Sequence, residues 1–192
     1  ASDVYKRQLF RQRAFSWFDS YDIYDENENT VYVVKGQLSW GHCLKIYDPE
    51  EQQELGTVKE EILTWLPKFE LYEGETCIGT LKKELTFFKP KYNIDFNGWH
   101  VEGDWLGWDY SITDGCGRTV ATVSKELFNW TDTYSIEVER PEDALSALMV
   151  VLAIHSATLS GAAEGLKFYL DLIDELEKHG ICLLYTSPSP RD

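Results

Sequence analysis

The sequence lacks the long hydrophobic run of a membrane-spanning helix, and it is poor in basic residues. It contains 18 Lys and Arg against 33 Asp and Glu, and its formal net charge is −15. A transmembrane helix needs about 20 predominantly apolar residues in succession, so we expect a protein that does not span the membrane. Nucleic acids bind clustered cations, so the acidic composition argues against a nucleic-acid partner.

Cysteine is scarce, and no CxxC spacing occurs. Cys43, Cys77 and Cys116 are scattered through the chain, and Cys182 lies in the atypical C-terminal segment. Such a set suggests reduced thiols rather than a disulfide framework or a zinc site. We therefore expect a cytoplasmic protein, and we find no sequence signal for a metal or a cofactor.

Signatures of catalysis are also missing. The sequence has neither HExxH nor GxSxG, and no histidine stands at a spacing that would pair it with a nucleophile. His42 and Cys43 are neighbours in a predicted loop, which leaves a hydrolytic activity as a weak alternative. The sequence favours a protein without enzymatic activity.

The two ends of the chain share an unusual relationship. Residues 3–8 can be back-translated as GATGTGTATAAGAGACAG, and residues 182–187 as TGTCTCTTATACACATCT. The two strings are reverse complements over most of their length, and both resemble a translated transposase adapter of sequencing libraries. We therefore expect residues 1–8 and 181–192 to be adapter-derived and exclude them from the fold prediction.

The rest of the sequence has mainly the period-two alternation of β-strands, with turn residues between the strands. Asn97-Gly98 is the clearest turn, because both central residues of a type I′ turn need positive φ. One pattern recurs four times: a strand, an acidic turn residue and a second strand that ends in Lys. The four repeats span residues 21–35, 44–59, 69–82 and 110–125. Consecutive hairpins leave open edges, and closure into an antiparallel β-barrel would remove them.

A helix-length apolar run follows the strands. Pro141, Glu142 and Asp143 suit a helix start, and the predicted helix extends over residues 142–158. Its apolar residues point to every side, which is typical of a fully buried helix. We therefore predict a mainly β fold, a closed barrel over residues 9–160 around this central helix. The predicted helix core comprises Leu145, Leu148, Met149, Val151, Leu152 and Ile154.

A second helix is predicted over residues 161–180. One face carries an apolar stripe and the other face is acidic, so the helix should lie on a surface, against the barrel or a partner protein. The stripe, a candidate partner surface, comprises Leu166, Tyr169, Leu170, Ile173 and Leu176.

Several motifs resemble bacterial members of the LURP-one-related family. They are FSWFDSYDIYD (15–25), WLPKFE (65–70), FFKPKY (87–92) and PEDAL (141–145), in the family's order, and the resemblance covers residues 9–158. This family is similar to tubby C-terminal domains and phospholipid scramblases. The resemblance implies a closed β-barrel around a central hydrophobic helix, in agreement with the pattern of the residues.

The resemblance also implies candidate ligands. Tubby-like domains include phosphoinositide binders with cationic side chains on the barrel wall, and the matching candidates here are Lys82, Lys83, Lys89 and Lys91. Scramblases bind calcium, but residues 25–30 lack the glycine and the closing glutamate of a calcium loop, so a hairpin turn is favoured.

We expect a binding or scaffold module for an unknown protein or lipid partner. A peripheral phosphoinositide- or phospholipid-binding protein is the alternative, and a scramblase-like or hydrolytic activity is a third hypothesis from another class. Fold resemblance alone supports these options, so the sequence does not identify the ligand or the oligomeric state.

Overall fold

The molecule is built around one antiparallel β-sheet. The computed structural model describes residues 6–12, 20–37, 39–84, 91–104, 108–125 and 133–158, which belong to one compact unit that extends to Thr158. The strands are β1 (Lys6–Gln12), β2 (Ser20–Tyr24), β3 (Thr30–Gly36), β4 (Cys43–Tyr47), β5 (Glu54–Glu60), β6 (Lys68–Glu73), β7 (Thr76–Glu84), β8 (Lys91–Asp95), β9 (His100–Asp104), β10 (Asp109–Thr113), β11 (Thr119–Lys125) and β12 (Thr133–Val138).

The strand order is β8-β7-β6-β5-β4-β3-β2-β1-β12-β11-β10-β9. Neighbours along β1 to β8 and along β9 to β12 follow one another in sequence, so each group is a series of hairpins. The pairing of β1 with β12 joins the two groups, with Lys6 opposite Val138 and Arg11 opposite Thr133. The ladder thus includes residues 6–8, which the sequence predicts to be adapter-derived. Backbone pairing does not depend on side-chain identity, so it does not test their origin.

A helix follows the last strand. A 3₁₀ turn at Pro141–Asp143 leads into an α-helix, α1, described over residues 144–158. Proline fits the first helical position because it has no N–H to leave unpaired. Arg140 donates from Nε to Asp143 Oδ2 at 2.8 Å, which fixes the entry of the chain into the helix.

Helix α1 is buried on all sides. Leu148, Met149, Val151, Leu152 and Ile154 have at most 2% of their surface exposed, whereas Leu145 is partly buried against the same core. Contacts come from distant strands of the sheet. A Cβ built on Gly56 of β5 would lie 2.9 Å from Met149 Sδ, and Tyr21 of β2 packs edge-on against His155 at 5.9 Å. The sheet therefore curves around the helix.

The four sequence repeats correspond to four hairpins with the same irregularity. In each of them the register shifts one residue before the acidic turn residue, as between Ile23 and Tyr24 in the first hairpin. The unpaired extra residue is apolar and begins the second half of each repeat. A β-bulge bends its strand and increases its twist, so four equivalent bulges help the sheet to curve. The bulged residues are Val31, Leu55, Ile78 and Val120.

In three of these hairpins the acidic residue holds the turn together. The Asp25 carboxylate accepts backbone N–H bonds from Asn27 and Asn29 at 2.8 and 2.9 Å. Asp48 accepts two such bonds in its own turn, as does Asp114. Aspartate is favoured in turns because its short side chain satisfies nearby backbone donors. The recurring acidic residue therefore has a structural role.

The prediction of antiparallel strands followed by a buried helix is confirmed, but the prediction of a closed barrel is wrong. No ladder joins β8 to β9 within the described residues. The predicted turn is present, with φ of 49° at Asn97 and 65° at Gly98. On either side of this turn, the buried rings of Phe96 and Trp99 pack edge to face at 5.0 Å. The connection between β8 and β9 is thus held by ring packing and by a main-chain hydrogen bond from Trp99 N–H to Phe96 O at 2.9 Å.

On both sides of the seam between β8 and β9 the backbone closely approaches another strand. A Cβ on Gly79 of β7 would lie 2.7 Å from Phe96 Cβ, so the chain after β8 is drawn onto β7. Gly103 in β9 has φ of 129° and closely approaches the backbone of Asp109 in β10. The two open edges expose Asp95, Glu102 and Asp104. Charged residues on edge strands oppose edge-to-edge aggregation.

Replacement of Leu148 should test the central position of α1. We expect Leu148→Ala to lower the free energy of unfolding by about 2–5 kcal/mol, because it leaves a cavity in a filled interior. Leu63→Ala removes the same atoms from a side chain that is 98% exposed and should change it by less than about 0.5 kcal/mol. Urea unfolding measures both; equal effects would place the helix outside the core.

The turn at Asp114 should make the stability of the fold depend on pH. Hydrogen bonds from the Arg118 backbone and side chain hold the pKa of Asp114 below its ordinary 3.8. A depressed folded-state pKa means that the ionised form stabilises the fold above about pH 4, and that this contribution is lost as the pH falls through the folded-state value. Asp114→Asn should therefore lower the urea midpoint at pH 7, with the difference from wild type shrinking below pH 4. The matched control is Asp95→Asn on an edge strand. A difference that is independent of pH would contradict the role of the carboxylate.

Candidate functional site

The two ends of the sheet have different connections. Even-numbered strands end at what we call the turn end, and odd-numbered strands end at the opposite end of the sheet, which we call the loop end. The loop-end segments described best are the β3–β4 loop, residues 37–42 without residue 38, and the β5–β6 loop, residues 61–67. Turn-end segments 25–29, 48–53 and 73–75 contain several Asp and Glu and no Lys or Arg. These three turns therefore place acidic residues at the turn end.

Large apolar side chains are exposed on the two loops. Trp40 is 87% exposed on the first loop, whereas on the second Ile62 is 49%, Leu63 is 98% and Trp65 is 102% exposed. These four residues, which we call the loop ridge, are the large exposed hydrophobic residues of the described chain. Isolated exposed apolar residues are common, but a cluster on neighbouring loops marks a contact surface.

The scaffold holds the two loops together. Glu60 donates its backbone N–H to His42 O at 2.7 Å, and Glu60 Oε2 accepts the His42 backbone N–H at 2.9 Å. Ile62 Cγ2 lies 3.2 Å from the position of a Cβ built on Gly41. Glycine at position 41 has φ of 99°, and it allows this close approach. The ridge is thus formed by two loops in direct contact.

Leu63 combines exposure with an unfavourable backbone conformation. Its φ is 68°, in the left-handed region that residues with a Cβ rarely adopt. This conformation costs about 1–2 kcal/mol for an ordinary L-residue. Packing does not repay the cost, because the side chain is almost fully exposed. Strain of this kind is concentrated at functional sites.

Beside the ridge lies an open cleft of about 420 Å³ with basic residues in its lining. Trp65 and Leu66 contribute its apolar part, and Lys68, Lys82 and Lys83 its cationic part. Lys68 forms an ion pair with Glu61, which raises the pKa of Lys68 through their hydrogen bond. No carboxylate pairs with Lys82 or Lys83 among the residues the structure describes. The cleft therefore retains positive charge.

The position of Lys82 in the sheet explains its uncompensated charge. Its neighbours across the strands are Lys68 on β6 and Asn93 on β8. Like charges directly opposite each other destabilise a sheet. Lys83 points to the other face of β7, but its backbone N–H donates to Pro67 O at 3.0 Å, beside the loop ridge. The two lysines consequently line the same cleft.

The other predicted site residues are not brought into this cleft by what the structure describes. Lys91 begins β8 opposite Glu84. Lys89 and the predicted helix of residues 161–180 lie outside the described residues. The sequence also offers Trp99, Trp105, Trp108 and Trp130 as a stacking platform for a ligand, and of these Trp105 and Trp130 lie outside the described residues. Trp108 stacks on Tyr134 at 3.8 Å and contacts His155 at 4.9 Å, whereas Trp99 lies at the turn end. Trp99 and Trp108 therefore do not form one platform.

The candidate catalytic and metal-binding residues serve the scaffold where they are described. Burial is the main cause that raises the pKa of the Cys43 thiol, so thiolate formation is disfavoured. Asp25, in the calcium-like segment, uses its carboxylate to hold its own turn and the Asn29 side chain. Within the described ranges no cluster of three or more His, Cys, Asp or Glu could hold a metal ion. In the same ranges, no helix has both the length and the hydropathy required to cross a bilayer.

Sequence reasoning did not identify the loop ridge. A signal was present, however, in the distribution of aromatic residues. Each segment that follows an odd-numbered strand contains Trp or Phe, whereas most segments after even-numbered strands contain neither. Antiparallel strands place alternate connections at opposite ends of a sheet, so this pattern marks one end as apolar.

Comparisons with known proteins agree with the motifs. The family model described as LURP-one-related matches residues 8–155. The uncharacterized protein YxjI of Bacillus subtilis (strain 168) is 31% identical over 149 residues, which are 76% of this chain and 91% of YxjI. An X-ray structure of a protein from Arabidopsis thaliana superposes with a TM-score of 0.55 at 17% identity. It covers 79% of this chain and 92% of the plant protein, and at this identity it supports the fold alone.

The family model spans most of the described sheet and the greater part of α1, and the relative from Bacillus covers two thirds of this chain and more. Both findings confirm the resemblance of the sequence motifs. The chain belongs to the LURP-one-related family.

Proposed function

We propose that this protein is a non-enzymatic binding module that engages its partner through the loop ridge. The observation that carries the proposal is that, among the residues the structure describes, the large exposed apolar side chains lie on two neighbouring loops. Exposure of apolar surface to water costs about 25 cal/mol per Å², so a ridge that packs on nothing is unfavourable in the isolated protein. A partner that covers it would recover this free energy.

The filled interior of the fold supports a binding surface on the outside of the sheet. Helix α1 occupies the space that the sheet encloses, and its side chains leave little room for a ligand there. The proposal extends to the fold type, tubby-like in its enclosure of a hydrophobic helix by antiparallel strands. Among the described residues Cys43, Cys77 and Cys116 form no disulfide, which supports a cytoplasmic location as part of the same proposal.

The absence of enzymatic activity is also part of the proposal. A hydrolase would need a nucleophile with an activating base. Partial burial raises the pKa of the Cys43 thiol, which disfavours the thiolate, and the ring of His155 packs against Tyr21 and Trp108. These environments favour structural roles for Cys43 and His155.

Removal of the ridge should separate binding from folding. We expect Leu63→Asn to raise the free energy of unfolding by about 0.5–1 kcal/mol, because asparagine tolerates the left-handed conformation better than leucine. Trp65→Ser should change it by less than about 0.5 kcal/mol, since Trp65 is fully exposed. Thermal and urea unfolding measure both variants.

The same variants test binding. The immobilised wild-type chain should retain components from separate soluble and membrane fractions of a bacterial extract, and Leu63→Asn/Trp65→Ser should lose what the wild type retains. Glu26→Gln at the turn end is the control and should behave as the wild type does. Equal retention by wild type and ridge variant would overturn the proposal, as would a ridge variant that fails to fold.

A further inference from the structure

We propose that the partner of the loop ridge is the surface of an anionic phospholipid bilayer. In this arrangement the ridge inserts between the headgroups, and Lys82 and Lys83 meet lipid phosphates. The inference rests on the proposed function and names the partner of the same surface.

The shape and chemistry of the ridge fit a lipid interface. Trp65 and Leu63 are exposed to about the extent of free side chains, so they project from the body rather than line a groove. Projecting side chains need a matching pocket on a protein partner, whereas a bilayer deforms around them. Tryptophan is also enriched at the headgroup level of membranes, where its ring is apolar and its N–H remains hydrated.

The lysines supply the charge complementarity. Lys82 and Lys83 line the cleft that Trp65 borders. The cation opposite Lys82 in the sheet, Lys68, is already paired with Glu61. Each Lys near an anionic membrane surface strengthens binding roughly five-fold. The lipid phosphates would supply the counter-charge that Lys82 and Lys83 lack in the described structure.

The acidic net charge does not prevent this contact. The acidic turns lie at the opposite ends of the strands from the loop ridge. Strand β7 has nine residues, so its ends are about 30 Å apart at about 3.3 Å per residue. The Debye length is only about 10 Å at 0.1 M salt, so the repulsion from the turn end is screened. The same separation of charge orients the loop end towards an anionic surface.

A second copy of the chain fits the surface less well. A symmetric dimer through the ridge would bring the Lys82 and Lys83 pairs of the two copies together, because the same patch meets itself across a two-fold axis. Glu61, the carboxylate that lines the same cleft, is already paired with Lys68 and does not offset this repulsion. Dimerisation and binding of a soluble protein are therefore alternative outcomes of the test.

Flotation with pure lipid vesicles tests the proposal. The full chain should float with vesicles of phosphatidylcholine containing one-third phosphatidylglycerol. Lys82→Gln/Lys83→Gln should weaken the partition coefficient by roughly 25-fold, at five-fold for each lysine. Leu63→Asn/Trp65→Ser should weaken it by roughly 30-fold or more, because two large apolar side chains leave the interface. Arg118→Gln, which removes a cation at the turn end, is the control and should bind as the wild type does.

Fluorescence locates the ridge in the bilayer. Brominated lipids should quench the wild type on binding, whereas Trp40→Phe/Trp65→Phe should still float but lose most of this quenching. Full quenching of that variant would overturn insertion of the ridge.

The outcomes separate the lipid inference from the proposed function. Absence of wild-type flotation, or equal flotation of the ridge variant, would overturn the lipid surface as the partner. Ridge-dependent retention of a soluble protein, or a ridge-dependent dimer in analytical ultracentrifugation, would leave the binding module intact while overturning the lipid inference. Equal binding to pure phosphatidylcholine would overturn the role of the lysines.

A rise in salt from about 0.1 M to 1 M shortens the Debye length from about 10 Å to about 3 Å and should weaken wild-type binding more than that of the lysine variant.

Discussion

Burial of α1 is the constraint on which the rest of the structure depends. A helix with large apolar side chains on every side exposes apolar surface wherever the sheet does not cover it. Full burial of each large side chain is worth about 1.5–3 kcal/mol, so an uncovered face would consume much of the 5–15 kcal/mol that stabilises an ordinary domain. A flat sheet covers one face only. The sheet must therefore curve, and contacts from strands as distant as β2 and β5 show that it does.

The repeated hairpin provides this curvature. Each of the four units carries its bulge at the same place, and an apolar residue occupies the bulge in every case. Glycine follows two of the bulges, Gly56 beside Met149 and Gly79 beside Phe96, where larger side chains would collide with their neighbours. The acidic residue after the register shift then holds the turn in three of the units. One local pattern thus bends the strand, allows close packing and reverses the chain, and these devices lie at or near the turn end.

The sequence predicts most of this architecture because its signals are local. Alternation identifies the strands, apolar residues on every side identify α1, and Asn97-Gly98 identifies its turn. Closure is different, because it depends on whether β8 and β9 come into register. Beside the seam between these two strands Phe96 closely approaches Gly79, and Gly103 has a positive φ; a pattern of residue types reveals neither feature. At the site, Lys82 and Lys83 are identifiable from the sequence. The exposure of Leu63 depends on one backbone angle and on the contact between two loops.

The two ends of the sheet have different roles, and this difference allows a stable scaffold to carry a strained surface. The turn end contains hydrogen-bonded aspartates and tight turns, which fix strand register without help from a partner. The loops of the ridge do not have to fix strand register. A left-handed leucine and exposed tryptophans are therefore tolerated there without loss of the fold. Such exposure is unfavourable in water and favourable against an apolar or amphipathic surface. With the acidic turns at one end and the apolar ridge with its lysines at the other, the molecule has an intrinsic direction. The proposed partner, a flat anionic surface, would use both the apolar projection and the charge separation at once.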